Sequence, residues 1–231
     1  MTLLREHERI DGPAGLLAPN PWQMTLGERA ALEGLLARLR PSLAVEIGTA
    51  EGGSTRCIAR HAAEIHSFDQ VHPEGLTAEL PSVIAHTGDS HVLLPDFLRG
   101  LAEAGGMVDF ALVDGDHTTE GVRRDMVDLL ASPAVRRTAI VAHDTANEVV
   151  RAGLDAAGIE DHPAVAYVDL DFVAGHLSVD GPYAGQLWGG LGLILVDPEV
   201  RATRPGVRDD TFHPAGELLR LARDARDYAS G

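Results

Sequence analysis

Two short segments concentrate the side chains able to move a proton or hold a cation: Asp114-Gly115-Asp116-His117 and His143-Asp144-Thr145. An imidazole set beside a carboxylate can act as a general base, and a positioned base typically contributes about 10²–10⁴-fold to a rate. Carboxylates brought together repel one another unless a proton or cation lies between them. Oxygen-rich clusters of this kind favour magnesium or calcium.

A second group suits a ligand rather than a reaction. Gly48, Gly52 and Gly53, within Glu46-Ile47-Gly48-Thr49-Ala50-Glu51-Gly52-Gly53-Ser54, let the backbone bend and approach a bound molecule closely. A helix beginning near Ser54 would offer free N–H groups to a carboxylate or phosphate. Asp69 can accept hydrogen bonds from both hydroxyls of a ribose. Asp89, in Gly88-Asp89-Ser90, can accept from an adenine amino group, with the N–H and hydroxyl of Ser90 beside it. Together these segments describe a nucleoside cradle, with His72, Pro73 and Glu74 beside the same cleft. The spacing Gly-x-x-x-Gly-Gly differs from the Gly-x-Gly-x-x-Gly of dinucleotide enzymes. Glu46, just before the first glycine, suits an ammonium group, and two acids near the loop would repel a pyrophosphate, which favours the amino-acid end of S-adenosylmethionine over NAD. Each feature also has a plainer reading: a tight turn at the glycines, a solvated strand end at Asp69, a helix cap at Asp116, a loop histidine at His117.

The elements that must position these residues alternate along the chain. Thr25-Leu26-Gly27-Glu28 has the spacing of a capping box; Leu32, Leu35, Leu36 and Leu39 follow at helical period, and Pro41 ends the helix. Strands are expected at Leu43–Ile47, Ile65–Asp69, Val83–His86, Val108–Val113 and Ala139–Ala142. Helices are expected at Ser54–Ala63, Leu93–Ala104, Thr119–Leu130 and from the fifth strand to Ala157. Val165–Val168 and Leu191–Val196 are late strands with no long helix between them. The pattern predicts an α/β fold: a Rossmann-like, doubly wound, mostly parallel sheet with an antiparallel pair at one end. Ligands of such sheets bind beyond the carboxyl ends of the strands, where the glycines, Asp69, Asp89, Asp114, His143 and Asp144 all fall. Residues 1–24 read as an irregular arm and residues 25–231 as one domain. Trp188-Gly189-Gly190 closes a Gly-rich loop that could cover a second substrate; Leu218, Leu221, Ala222 and Ala225 form one apolar stripe compatible with a homodimer.

The 231 residues are 45% hydrophobic and 23% charged, as in ordinary globular proteins. Thirty-five acids against nineteen bases give a formal charge of −16. No run of Lys and Arg offers the basic surface that a phosphate backbone needs, so nucleic acid and anionic membrane are excluded as expected partners. The single cysteine, Cys57, can form no intramolecular disulfide and reads as a small buried residue. The early charges Arg5, Glu6 and Glu8 argue against a signal peptide. The longest apolar run is far shorter than the roughly 20 residues of a membrane span. A cytoplasmic protein is expected.

Val45-Glu46-Ile47-Gly48-Thr49-Ala50-Glu51-Gly52-Gly53-Ser54-Thr55 resembles the first motif of class I S-adenosylmethionine-dependent methyltransferases. Val113 to Asp125 and Ile140-Val141-Ala142-His143-Asp144-Thr145 resemble the fourth- and fifth-strand segments of a subgroup that includes macrocin and macrolide-sugar O-methyltransferases and cephalosporin-pathway enzymes. The resemblance spans roughly residues 43–150. It implies S-adenosyl-L-methionine as cofactor, bound by Glu46, Gly48, Thr49, Gly52, Ser54, Asp69, Asp89, Ser90 and Asp114, and a small-molecule hydroxyl as acceptor. It further implies magnesium held by Asp114, His143 and Asp144, with His117 and Asp114 catalytic. The subgroup's acidic pair after strand five is usually Glu-Asp; His143 replaces the Glu, which shifts metal preference toward a softer ion. Three other functions compete. A metal-dependent hydrolase would use Asp114, His117, His143 and Asp144 but leaves the glycines without a role. An NAD-dependent oxidoreductase conflicts with the glycine spacing. A non-catalytic nucleoside-binding module leaves the reactive residues without a purpose.

Overall fold

Near-continuous apolar runs such as Leu43–Ile47 and Phe110–Val113 are what a strand needs when helices cover both faces of a sheet, and the strands of the core sheet are buried in this way. The computed structural model describes residues 22–203 together with Leu221 and Asp224. The expected arm up to residue 21, and the tail stripe apart from Leu221, lie outside the described residues.

In chain order the elements are α1 (Leu26–Leu39), β1 (Leu43–Ile47), α2 (Gly53–Ala59), β2 (Glu64–Asp69), α3 (Leu76–Glu79) and β3 (Val83–Thr87). There follow α4 (Ser90–Glu103), β4 (Phe110–Val113), α5 (Thr119–Ala131), β5 (Thr138–His143) and α6 (Glu148–Ala156). The last are β6 (Val165–Val173), β7 (His176–Leu177), β8 (Leu187–Trp188), β9 (Leu191–Val196) and α7 (Pro198–Arg201). Seven strands form one sheet in the order β3-β2-β1-β4-β5-β9-β6, and β7 pairs with β8 in a separate ribbon. The first five strands are parallel; β9 runs antiparallel to both β5 and β6.

Side chains alternate across the sheet. Val45, Ile47, Ala111 and Val113 pack with Leu94 and Leu98 of α4, Met126 and Leu129 of α5, and Val150 and Leu154 of α6. Ala44, Phe110 and Leu112 pack with Leu32 and Leu36 of α1 and Cys57 and Ile58 of α2. Cys57 is buried and free, as its small apolar character leads one to expect.

Local chemistry sets the helix starts. Thr25 and Glu28 exchange both hydrogen bonds of the capping box and open α1. Asp89 accepts from His91 N at 2.9 Å and starts α4 at Ser90, earlier than the expected Leu93. Thr118, not Asp116, caps α5; Asp116 sits one step back, accepting from Thr118 N at 2.9 Å. α2 is shorter than expected, ending at Ala59. β6 is longer than expected because Asp169 and Asp171 alternate with buried Val168 and Leu170, the pattern of an edge strand with one open face.

Candidate active site at the strand ends

Parallel register carries Gly48, Asp114 and His143 into one row. Ile47 pairs with Val113, and Val113 with Ala142, so the next residue of each strand emerges beside its neighbour. The strand order reverses between β1 and β4, which is where open α/β sheets bind ligands.

The loop after β1 is fixed from three sides. Gly48 and Gly52 take φ of 92° and 76°, the left-handed region that favours glycine. Gly48 N donates to the Phe68 carbonyl at 2.9 Å. Asp69 Oδ2 accepts from Thr49 N at 2.7 Å and Ala50 N at 3.1 Å, and Oδ1 accepts from Val71 N at 3.2 Å. His72 is taken up beneath the loop, its ring nitrogens 3.1 Å from Thr49 Oγ1 and 3.2 Å from the His86 carbonyl.

Glu46 departs from the expected meeting with an ammonium group. Alternation along β1 turns it to the Ala44 side, under α2, where it is fully buried. Ser54 donates to Oε1, and Thr55 and Ser67 donate to Oε2, each at 2.7 Å. Burial pushes its carboxyl up to about 7, against the three hydroxyls, which favour the ionised form. Glu46 therefore braces the loop from below, and Glu51 is the acid of the loop that lines the cavity. Asp89 and Ser90 lie at the end of β3: Asp89 caps α4, and Ser90 Oγ is 3.4 Å from Asp125 Oδ1. Neither they nor Asp69 line the main cavity.

The second group does assemble. One ligand atom from each of Asp114, His143 and Asp144 lies within 4.8 Å of the others. His143 Nδ1 is 3.0 Å from Asp114 Oδ1 and 3.4 Å from Asp144 Oδ2. His117 Nε2 faces the same two oxygens, at 3.5 Å from Asp114 and 3.1 Å from Asp144. Asp144 itself has φ 55°, outside the usual range for a non-glycine residue, and is anchored by Gly189 N donating to Oδ1 at 2.6 Å.

The electrostatics describe a cluster that retains positive charge. Hydrogen bonds to Asp114 and Asp144 hold the His117 ring protonated up to about 10. Burial opposes a charge on His143, but Asp114, Asp144 and Glu28 raise its pKa well above the ordinary value. Burial likewise opposes ionisation of Asp114 and Asp144, and the two histidines outweigh it and hold both carboxyls down. The donor set of two carboxylate oxygens and one imidazole nitrogen fits a divalent cation, which would supply the same positive charge as the protons.

The glycine loop and the Asp/His cluster open into one cavity of about 460 Å³, a volume typical of small-molecule sites. The loop Gly48–Glu51 with Gly53 and Ser54 forms one wall; Asp114, His117, His143 and Asp144 form another. Trp22 and Met24 from before α1, and His176, Tyr183 and Trp188 from the β7–β8 ribbon, close it. Trp188 meets the His117 ring edge-on at 6.0 Å and the Tyr183 ring at 5.1 Å. Sequence reasoning did not single out Glu28, Trp22, His176 or Tyr183, although His176 and Tyr183 lie in the Gly-rich loop expected to cover a second substrate. Only Glu28 carried a local signal, its capping-box spacing, and that signal pointed to the cap alone.

The methyltransferase domain family matches residues 45–145, a stretch running from β1 through the glycine loop and both segments of the Asp/His cluster. No curated protein matches the chain. Among solved structures, an O-methyltransferase from Bacillus cereus in complex with S-adenosylhomocysteine is 17% identical with a TM-score of 0.56, over 85% of this chain and 91% of that one. The O-methyltransferase TomG from Streptomyces achromogenes, involved in tomaymycin synthesis and solved with S-adenosylmethionine, is 16% identical with a TM-score of 0.53, over 75% and 81%. The MycE methyltransferase of the mycinamycin pathway, in complex with Mg, S-adenosylhomocysteine and mycinamycin VI, is 16% identical with a TM-score of 0.50, over 73% of this chain and 49% of that one. The chain thus has the Rossmann-like α/β fold of class I methyltransferases. Within it, residues 45–145 are the stretch that matches the methyltransferase domain family.

Proposed function

We propose that this protein is an S-adenosylmethionine-dependent O-methyltransferase that methylates a hydroxyl of a small molecule such as a sugar or natural product, with help from a divalent cation. One observation carries this reading: the glycine loop and the Asp/His cluster line a single cavity. A methyl donor on the loop and an acceptor at the cluster would then meet in that space. The hydrolase alternative leaves the glycine loop idle.

The sulfonium is already activated, so the protein's task is to orient donor and acceptor in line. The loop from Gly48 to Ser54 holds the amino-acid end of the cofactor, and Asp69 at the tip of β2, with Asp89 and Ser90 at β3, receives the nucleoside end. Glu46 keeps the loop in shape. The acceptor lies against Trp22, Tyr183 and Trp188, its hydroxyl toward His117, whose ring would be free to accept the hydroxyl proton once a cation on Asp114 and Asp144 takes the place of the ring's own proton. Asp114, His143 and Asp144 would hold the cation, which lowers the pKa of a bound hydroxyl. Residues 25–231 form the single domain, and the arm of residues 1–24 reaches the cavity through Trp22 and Met24. The acidic surface and lone free thiol favour the cytoplasm; among the described residues no helix is long and apolar enough to cross a membrane. Homodimerisation is compatible with the apolar tail.

The test is a thermal melt with S-adenosylhomocysteine. At about 100 times its Kd a ligand adds roughly 2.7 kcal/mol, a rise of about 5–10 °C for a domain of this size. An unchanged melting temperature at saturating ligand would overturn the assignment.

A further inference from the structure

His143 occupies the position at which the resembled sugar O-methyltransferases usually carry glutamate, and a carboxylate from a distant element stands behind it. Glu28 of α1 is 1% exposed. Its Oε2 accepts from Thr25 N, and its Oε1 accepts from Gly190 N at 2.5 Å. The same Oε1 lies 3.4 Å from His143 Nε2, a buried ring nitrogen with no closer hydrogen-bond partner. The His143 side chain, 6% exposed, is therefore set between carboxylates: Nε2 toward Glu28, Nδ1 toward Asp114 and Asp144.

A histidine that binds a metal through one ring nitrogen generally donates the N–H of the other to a carboxylate, which fixes its tautomer and orientation. We infer that Glu28 is the positioning residue for His143, presenting its Nδ1 to the cluster, and that the resulting Asp114–His143–Asp144 centre prefers a transition-metal ion such as manganese, cobalt or zinc to magnesium. Imidazole nitrogen is a borderline ligand that suits these ions. Magnesium instead seeks hard oxygen donors and keeps its water. Glu28 can hold this place because its carboxylate is pinned from both sides, by the first turn of α1 and by the glycine turn before β9. The inference rests on the reading that the cluster holds a cation.

Binding of Mn²⁺ to the intact protein, followed by loss of the free-ion electron paramagnetic resonance signal, tests it without recourse to turnover. Mg²⁺ should displace Mn²⁺ only at an excess on the order of 100-fold. Glu28→Gln should weaken Mn²⁺ binding by about 10–100-fold. Thr25→Ala, which damages the same helix cap without touching His143, should leave binding within about threefold. His143→Glu should let Mg²⁺ compete at an excess of no more than about tenfold, and it reads the preference independently should Glu28→Gln fold poorly. Equal affinity in wild type and Glu28→Gln would overturn the role of Glu28, and parity of Mg²⁺ with Mn²⁺ in the wild type would overturn the preference. A wild-type protein that binds no divalent ion at millimolar concentration would remove this inference and cation assistance together, while a melting shift with S-adenosylhomocysteine would still stand.

Discussion

A Cβ placed on Gly48 would fall 2.0 Å from the carbonyl oxygen of Asp114. The loop proposed to hold the cofactor and the strand carrying the reactive carboxylate are thus in backbone contact, with no room for a methyl group. Gly48→Ala must strain a φ of 92° and separate β1 from β4 at their tips. Left-handed strain and overpacking together cost roughly 2–5 kcal/mol, on the order of 5–15 °C in melting temperature. The variant should also lose S-adenosylhomocysteine binding. A Gly48→Ala protein that melts and binds like wild type would refute this contact.

Asp69 has two tasks that substitution can separate. Its Oδ2 splints the loop through Thr49 N and Ala50 N, and the proposed function also assigns it the ribose hydroxyls. Asp69→Ala removes both and should abolish the melting shift with S-adenosylhomocysteine. Asp69→Asn keeps an acceptor for the loop but loses the charge; hydrogen bonds to charged groups contribute about 1.5–3 kcal/mol, so calorimetric affinity should fall about 10–100-fold. Undiminished affinity in Asp69→Ala would remove this residue from the cofactor site.

Glu46 predicts a specific pH dependence. Its carboxyl is raised from 4.5 to about 7 in the folded chain. As pH rises through that window the unfolded chain releases the proton while the native chain keeps it, so this stabilisation is full below 4.5 and lost by about pH 7. The loss is on the order of 3 kcal/mol. Glu46→Gln carries no titrating proton, so its melting temperature should gain on that of wild type as pH rises from 4.5 toward 7. Asp125, also raised to about 7, titrates in both proteins and cancels in the difference. Parallel curves for the two proteins would contradict the buried placement of Glu46.

Much of this architecture was legible in the sequence because short-range rules govern it. Leu43–Ile47, interrupted only by Glu46, and Leu191–Val196 are apolar runs, and their bounds in the structure match the sequence reading. Asp114, His143 and Asp144 converge because each follows a parallel strand, and parallel register places strand ends together. Contacts between residues remote in sequence were not legible. Glu28 and Gly190 are 162 positions apart, and a carboxylate satisfying its own helix cap gives no sign of a second partner. The β7–β8 ribbon was hidden for a different reason: two-residue strands among glycines carry no periodicity. Glu46 was misdirected by its neighbours, since proximity to the glycine loop masked the alternation that turns it inward.

His117 gives the most direct test of the reactive end. Its Nε2 faces Asp144 Oδ2 at 3.1 Å and Asp114 Oδ1 at 3.5 Å, the same two oxygens that face His143 Nδ1. As the proton acceptor, it should cost about 10²–10⁴-fold in kcat when changed to Gln, with S-adenosylhomocysteine affinity held within about threefold because that ligand does not call on the base. Because ring and cation would share two carboxylates, their contributions should not add. Chelating the metal from His117→Gln should therefore reduce the rate by a smaller factor than chelating it from wild type. Equal factors would mean that His117 and the Asp114–His143–Asp144 centre act on separate steps, and a His117→Gln enzyme with kcat near wild type would assign the proton to another group.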